Sequence, residues 1–115
     1  MAEGPEWIEK IAYVMPPLPT SLRVDPIVSA LLHVAAFLEL SVDEAVDPDS
    51  AVEAMEHVGF YLGRLPARRI GAIREQLDRV AAHAQAEGWG EEAIEFFTEF
   101  MENFGLSGEE DTGVA

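Results

Sequence analysis

The sequence contains no cysteine and only one lysine, Lys10. The absence of cysteine excludes disulfide bonds, thiolate nucleophiles and cysteine-ligated zinc. The chain also lacks the Gly-Lys-Ser/Thr end of a phosphate-binding loop and the Gly-x-Ser-x-Gly turn of serine hydrolases. None of these familiar nucleophile or phosphate-binding motifs is therefore available to this protein.

Long hydrophobic runs are missing as well. The most apolar stretch, 27–40, is interrupted by a serine, a histidine and a glutamate, and it is shorter than the roughly 20 residues that a bilayer span needs. The first ten residues, "MAEGPEWIEK", carry acids where a secretory signal has a basic region. We therefore expect a buried core helix at 27–40 and a cytoplasmic protein.

Cations are scarce throughout the chain. Seven lysine and arginine residues stand against 22 aspartates and glutamates, which gives a formal net charge of −15. A field of this sign repels nucleic acid and anionic membranes and attracts basic partners. Acidity also keeps proteins soluble, so the charge by itself fits equally well a protein that binds nothing through its acidic surface.

The pattern that is present is helical. It predicts an all-α, single-domain antiparallel bundle of four to five helices near 5–15, 26–40, 48–64, 66–87 and 90–104, in one domain over 1–106. Asp25-Pro26 and Asp47-Pro48 indicate helix starts, because aspartate caps a helix and proline fits its first turn. The prolines of 16–19 predict an extended connector, and the acidic residues 107–115 predict a disordered tail.

The last predicted helix separates aromatic residues from acidic ones. At about 100° per residue, one half of its surface is apolar and the other half carries carboxylates. The apolar half consists of Ile94, Phe97, Phe100, Met101 and Phe104, and the acidic half of Glu91, Glu92, Glu95, Glu99 and Glu102, with Phe96 on the border. We expect the aromatic half to pack on the core. The acidic half then meets solvent with no cation in the helix to balance it, although like charges four residues apart repel.

Two arrangements resemble metal sites but fail on spacing. His33, His57 and His83 fall on three different predicted helices, without a His-x-x-x-His or Glu-x-x-His pair. The acidic run 43–53 lacks the glycine and the glutamate that a calcium loop needs at its sixth and twelfth positions, and helix capping explains its aspartates better. We predict no catalytic, cofactor-binding or metal-binding residues, no cofactor and no enzymatic activity.

The order of features over about 31–106 resembles that of a known group of proteins. A short acidic turn is followed by a helix with "VEAMEHVGFYL", an arginine-rich helix, and a Phe/Glu helix ending in "FGL". This layout is similar to that of small, acidic, helical bacterial proteins that resemble the immunity proteins of toxin systems. The resemblance implies an all-helical fold and an inhibitory protein–protein interaction, and it carries no catalytic motif.

The first functional hypothesis is therefore an immunity-type inhibitor. Nuclease toxins have basic active sites because they bind phosphates, and an acidic protein neutralises such a site by electrostatic complementarity. We expect a basic protein partner, a toxin or nuclease domain, and neither nucleic acid nor membrane. The predicted partner-binding residues are Glu92, Glu95, Glu99, Glu102, Asp43, Glu44, Asp47 and Asp49, with Tyr61 and Phe96 as aromatic anchors.

Two alternatives remain open. A structural or regulatory interaction module, including a self-associating one, would use an apolar groove or the surface at 64–79, which holds five of the seven cations, and its acidity would serve only solubility. A mimic of DNA would also use an acidic surface. Salt dependence separates apolar contact from the two electrostatic hypotheses, and competition by duplex DNA separates those two from each other.

Overall fold

The computed structural model describes residues 12–106, and this part of the chain is all-helical with no strand. It contains four α-helices: α1 at Pro26–Leu40, α2 at Pro48–Leu62, α3 at Ala67–Glu87 and α4 at Glu91–Glu99. Two 3₁₀ turns flank them, at Thr20–Leu22 and Glu102–Phe104. Among the described helices, none combines the length and the apolar character of a membrane-spanning helix.

Local sequence signals set the helix ends. The Asp25 carboxylate accepts a hydrogen bond from the backbone N–H of Ile27 at 2.7 Å, and Asp47 Oδ2 accepts one from the N–H of Ser50 at 2.9 Å. Each aspartate thereby satisfies an amide that the first turn of its helix leaves unpaired. At the end of α3, Gly88 adopts φ 71°, a left-handed conformation that favours glycine.

The helices enclose one cluster of buried side chains. α3 packs against α4, while α1 contacts both α2 and α4. The five apolar residues that recur at helical spacing along α3 are all buried; they are Ile70, Ile73, Leu77, Val80 and Ala84. Leu32 of α1, Val80 of α3 and Phe97 of α4 are each less than 2 % exposed, so three helices meet at the centre of this cluster.

An extended segment precedes the first 3₁₀ turn. Residues 12–15, the end of the predicted first helix, are not helical, whereas the rest of that helix and the predicted tail at 107–115 lie outside the described residues. The backbone N–H of Tyr13 donates to Ser41 Oγ at 2.8 Å, and Met15 is 2 % exposed. This segment is extended because its prolines exclude a helix and because the core buries the side chain of Met15.

Arg79 fixes the first 3₁₀ turn onto α3. Its guanidinium donates to the carbonyl oxygens of Leu22 and Arg23, both at 2.8 Å. Gln76 Oε1, one turn earlier on α3, accepts from the N–H of Asp25 at 2.7 Å. One of the clustered arginines therefore serves the fold.

The helix at 26–40 is less enclosed than its composition predicted. Val28, Leu32, Ala35 and Ala36 are buried, but Ile27 is 80 % exposed, Val34 60 % and Phe37 37 %. Within the described residues, α1 therefore buries one face and leaves an apolar stripe on the other. The predicted last helix also differs, because α4 ends at Glu99 and continues through a turn into the second 3₁₀ turn.

Candidate protein-binding groove

A groove runs between α4 and the loop that leaves α1, and we call it the acidic groove. Its walls carry four glutamates and a half-buried phenylalanine. The lining residues are Glu39, Leu40, Ser41, Val42, Glu92, Glu95, Phe96, Glu99 and Asn103. Three of the four glutamates belong to the predicted acidic half of α4, and the fourth comes from the last turn of α1.

The two faces of α4 are arranged as the sequence predicts. Phe97, Phe100 and Met101 are each 2 % exposed or less, which places them in the core. The acidic half faces solvent, with Glu91, Glu92, Glu95 and Glu102 exposed and Glu99 half-buried. Within α4, burial of Phe97 thus directs the glutamates of the same helix outward. Phe100, Met101 and Glu102 follow the last residue of α4 and keep the same division between core and solvent.

A chain of aromatic rings holds α4 in place. The Trp89 ring lies edge-on to His83, with 5.4 Å between centroids, and Trp89 contacts Phe97 at 6.1 Å. Phe96 then lies edge-on to both Phe97 and Phe100, at 5.1 and 5.4 Å. Edge-to-face pairs at these distances stabilise beyond the burial of area alone. Phe96 is therefore fixed by two neighbouring rings at the floor of the acidic groove.

No arginine lines the acidic groove, and none lines the neighbouring depression at Glu91, Glu95 and Glu99. Arg79 and Arg64 make their contacts in other parts of the structure. Arg79 binds backbone carbonyls, as above, and the Arg64 guanidinium lies 5.9 Å from the Phe60 ring centroid and 5.7 Å from that of Tyr61. Arg69 lines a different depression, together with Tyr61. The carboxylates of the groove thus have no arginine among the residues that line it.

A second depression, which we call the apolar pocket, adjoins the acidic groove between α4 and α2. It has a cavity volume of about 220 Å³. Its lining residues are Glu39, Val52, Met55, Glu56, Phe96, Phe100, Asn103 and Phe104. Glu39, Phe96 and Asn103 line both depressions, so the two form one continuous surface of differing character.

The far wall of the apolar pocket depends on a glycine of α2. Phe104 lies so close to Gly59 that a Cβ added at Gly59 would overlap the phenyl ring. A Cβ at Gly63, one turn later, would lie 3.8 Å from Leu106 Cδ2. Phe104 also packs edge-on to Phe100 at 5.2 Å. Gly59 therefore permits the close approach of the segment at the end of the described chain, whereas a Cβ at Gly63 would make only ordinary contact.

The remaining predicted binding residues lie apart from the acidic groove. Tyr61 is 62 % exposed and lines a depression with Asp25 and Arg69. It stands nine residues after Val52, hence about 180° round α2 from the apolar pocket. The structure therefore places Tyr61 beside arginines and not beside the glutamates, because α2 divides the two surfaces.

The acids of the loop before α2 and of the first turn of α2 are also separate from the acidic groove. Asp43, Glu44, Asp47 and Asp49 are exposed and line neither depression, whereas Val42 of the same loop lines the acidic groove. Hydrogen bonds from the backbone N–H and the side chain of Ser50 lower the pKa of the Asp47 carboxyl. The Asp47 carboxylate is thus occupied as a helix cap, as the Asp-Pro signal predicts.

The histidines do not converge. His83 packs on Trp89, His33 is half-buried in α1 and His57 is exposed on α2. Within residues 12–106, no three histidine, aspartate or glutamate side chains are grouped as metal ligands. Burial raises the pKa of the Tyr13 hydroxyl, which lies in the extended segment and belongs to neither depression.

Sequence reasoning missed several residues of this surface. Glu39 is the only acid in an apolar run, and Asn103 follows the acidic half of the last helix, yet both line the two depressions. Val52 is 55 % exposed and lines the apolar pocket. An acid near the end of an otherwise apolar helix was the available signal for Glu39; the other two positions follow from contacts between helices.

Comparisons with known proteins return no match: no protein-family model, no curated protein and no solved structure is similar to this chain. The acidic groove and the apolar pocket beside it are therefore the basis for any statement about function. The described part of the chain is all-helical and carries a carboxylate-lined surface groove.

Proposed function

We propose that this protein is a non-enzymatic, cytoplasmic binding module of the immunity type, which neutralises a basic toxin or nuclease domain by electrostatic complementarity. We further propose that its helices form an antiparallel bundle. The single observation that carries the functional proposal is the acidic groove: four glutamates and a half-buried phenylalanine line one groove, and no arginine lines it with them.

The row of glutamates on α4 costs stability in the absence of a partner. Glu91, Glu95 and Glu99 follow one another at intervals of four, and each such pair destabilises a helix by roughly 0.2–0.5 kcal/mol. The first-turn glutamates recover part of this cost from the helix dipole, but Glu99 at the last turn of α4 does not. A basic partner removes the repulsion by supplying the missing cations, and the same field accelerates and selects its approach.

The aromatic floor supports a protein partner in preference to a small cation. Interfaces gather their binding energy in a few aromatic or arginine side chains, surrounded by polar contacts that exclude water. Among the described residues that line the acidic groove, Phe96 is the one aromatic, and its ring is held by Phe97 and Phe100. A fixed ring loses little conformational entropy on binding.

The test is charge reversal on the groove with a matched control. The double variant Glu95→Lys, Glu99→Lys removes two carboxylates from the groove; Glu75→Lys, Asp78→Lys changes the net charge equally on α3, away from both depressions. Capture of a basic protein from low-salt host lysate, followed by affinity measurement with the purified partner, should show a roughly tenfold or larger loss for the groove variant alone.

Stability provides the internal control for this experiment. In the groove variant, the reversal at Glu95 makes its pairs with Glu91 and Glu92 attractive, while the like charges at positions 95 and 99 still repel. The variant should therefore unfold at an equal or slightly higher denaturant concentration. Weakened capture then reflects the interface and not the fold. Equal binding by both double variants, or an affinity that barely changes with salt, would show that the acidic groove is not the contact surface. Displacement of the captured partner by duplex DNA would indicate the DNA-mimic alternative.

A structural or regulatory module is the second candidate, and one observation favours it. Phe60 and Tyr61 are 64 % and 62 % exposed, and both rings lie under the Arg64 guanidinium. Exposed aromatics beside arginine are typical of binding surfaces. If this surface mediates self-association, Tyr61→Ala should lower the sedimenting mass at high protein concentration, and Glu95→Lys should leave it unchanged.

A further inference from the structure

The apolar pocket raises a question that an acidic surface does not answer by itself. Phe96, Phe100 and Phe104 form one side of it, and Val52 and Met55 form the other. Its volume of about 220 Å³ lies below the range of about 300–1,000 Å³ that is typical of cofactor and small-molecule sites. The pocket is instead of the size that a single large side chain requires.

This pocket is held open by packing on both sides. The Phe100 ring contacts Phe96 and Phe104 edge-on, at 5.4 and 5.2 Å. Phe104 is in turn fixed against Gly59 of α2, where any larger residue would overlap its ring. Met55, on the opposite wall, is 7 % exposed and belongs to the core. A pocket with walls of this kind needs little rearrangement to accept a guest.

Charge surrounds the pocket on two sides. Glu39 and Glu56 line it together with the aromatic rings, and Glu39 also lines the acidic groove. Among the described residues, 12–106, no cationic side chain lines either depression. A guest that fills the pocket therefore has carboxylates on its flanks, and the acidic groove with Glu92, Glu95 and Glu99 continues directly from the shared wall.

We propose that the apolar pocket and the acidic groove form one composite docking site for a basic protein segment that carries a single large apolar residue. The apolar side chain occupies the pocket, and the lysines or arginines beside it bind Glu39, Glu92, Glu95 and Glu99. This inference rests on the proposed function and specifies the partner's chemistry: an apolar anchor flanked by cations, in which burial of the anchor adds affinity to the charge-driven encounter.

The ends of the chain itself do not have this chemistry. Residues 1–11 contain Glu3, Glu6 and Glu9 against Lys10, and residues 107–115 contain three acids and no cation. Both ends are net negative and are repelled by the acidic groove. A foreign basic segment is therefore the occupant that charge complementarity favours.

Two synthetic peptides of equal charge test the proposal with the full-length protein. Both are short and lysine-rich; one has phenylalanine at its centre and the other has serine. In fluorescence anisotropy at moderate salt, we expect the phenylalanine peptide to bind roughly tenfold or more tightly, because burial of the ring adds to the same electrostatic attraction.

Variants separate the pocket from the groove. Val52→Gln places a polar side chain at the pocket without disturbing the core, since Val52 is 55 % exposed, and Val34→Gln is the control, at a 60 %-exposed valine of α1 outside both depressions. Val52→Gln should make the affinities of the two peptides about equal, whereas Val34→Gln should preserve the tighter binding of the phenylalanine peptide. The Glu95→Lys, Glu99→Lys variant should bind both peptides more weakly, by about the same factor.

The outcomes distinguish this inference from the proposed function. Equal affinity of the two peptides for the unaltered protein, or a preference that survives Val52→Gln, overturns the composite site even if charge reversal still weakens binding. If charge reversal leaves both affinities unchanged, the proposed function itself fails. A dimer that forms without peptide and is abolished by Val52→Gln would also overturn the inference, because a second copy would then occupy the pocket.

Discussion

The aromatic residues on the two sides of α2 differ in their exposure to solvent. On the side of α2 that faces α4, the rings of α4 point inward and its carboxylates point outward. Phe97 is 1 % exposed, whereas Glu95 is exposed to solvent. Across α2, Phe60 and Tyr61 are exposed, and Arg64 lies over them. A net charge of −15 describes neither surface, because the acids and the arginines are segregated and each region has its own character.

This segregation has a simple physical basis. On α4 the aromatic residues repeat with the period of the helix and are buried together, so the glutamates on the opposite face point to solvent. On α2 the aromatic pair falls outside the packed stripe, and a guanidinium covers the rings from the solvent side. The first region is thus stabilised by burial and strained by charge, while the second gains little from burial.

The largest expected effect compares one phenylalanine from each side. Phe97→Ala should lower the free energy of unfolding by about 3–5 kcal/mol, because it leaves a cavity in the core beneath α4. Phe60→Ala removes the same atoms from a residue that is 64 % exposed and should cost less than about 1 kcal/mol. Urea unfolding followed by circular dichroism measures both. Similar losses at the two positions would contradict the inward and outward orientations described above.

A smaller effect sharpens the comparison at the glycines. Gly59→Ala should destabilise by about 1–3 kcal/mol, because its methyl group overlaps Phe104 and displaces the wall of the apolar pocket. Gly71→Ala, within α3, adds a methyl group that meets nothing within 4 Å and should stabilise by about 0.5–1 kcal/mol. Thermal unfolding of both variants tests the opposite signs. A stabilising Gly59→Ala would mean that Phe104 does not pack on α2.

The smallest effect concerns the loop acids. The pKa of Asp47 is lowered in the folded chain by the hydrogen bonds from Ser50, so its ionised form stabilises the fold above its unfolded pKa. That contribution is lost as the pH falls through the lower, folded pKa. We therefore expect Asp47→Asn to make stability less dependent on pH below about pH 4.

Urea unfolding at several acidic pH values measures the Asp47 effect. A curve for Asp47→Asn that runs parallel to that of the unaltered protein would show that the carboxylate does not act as a cap. Asp47 would then become available again as a contact residue of an acidic surface, and the separation between the loop acids and the acidic groove would weaken.

The sequence determined the local structure of this protein. Asp25-Pro26 and Asp47-Pro48 begin helices where they predict them, Gly88 ends α3, and the 3.6-residue period of α4 divides its rings from its carboxylates. Each of these features depends on interactions within about one turn of helix, which is the range that a sequence pattern reports. The interruption of the last helix after Glu99 was not evident, because propensity continues through that turn.

Tertiary structure alone decided which residues share a surface. It joined Glu39 and Asn103 to the glutamates of α4, separated Tyr61 from them by the width of α2, and fixed Phe104 on Gly59. It also left one face of α1 exposed despite an almost wholly apolar composition. These outcomes depend on how distant helices pack. Periodicity states which face of a helix is buried but not which neighbour buries it.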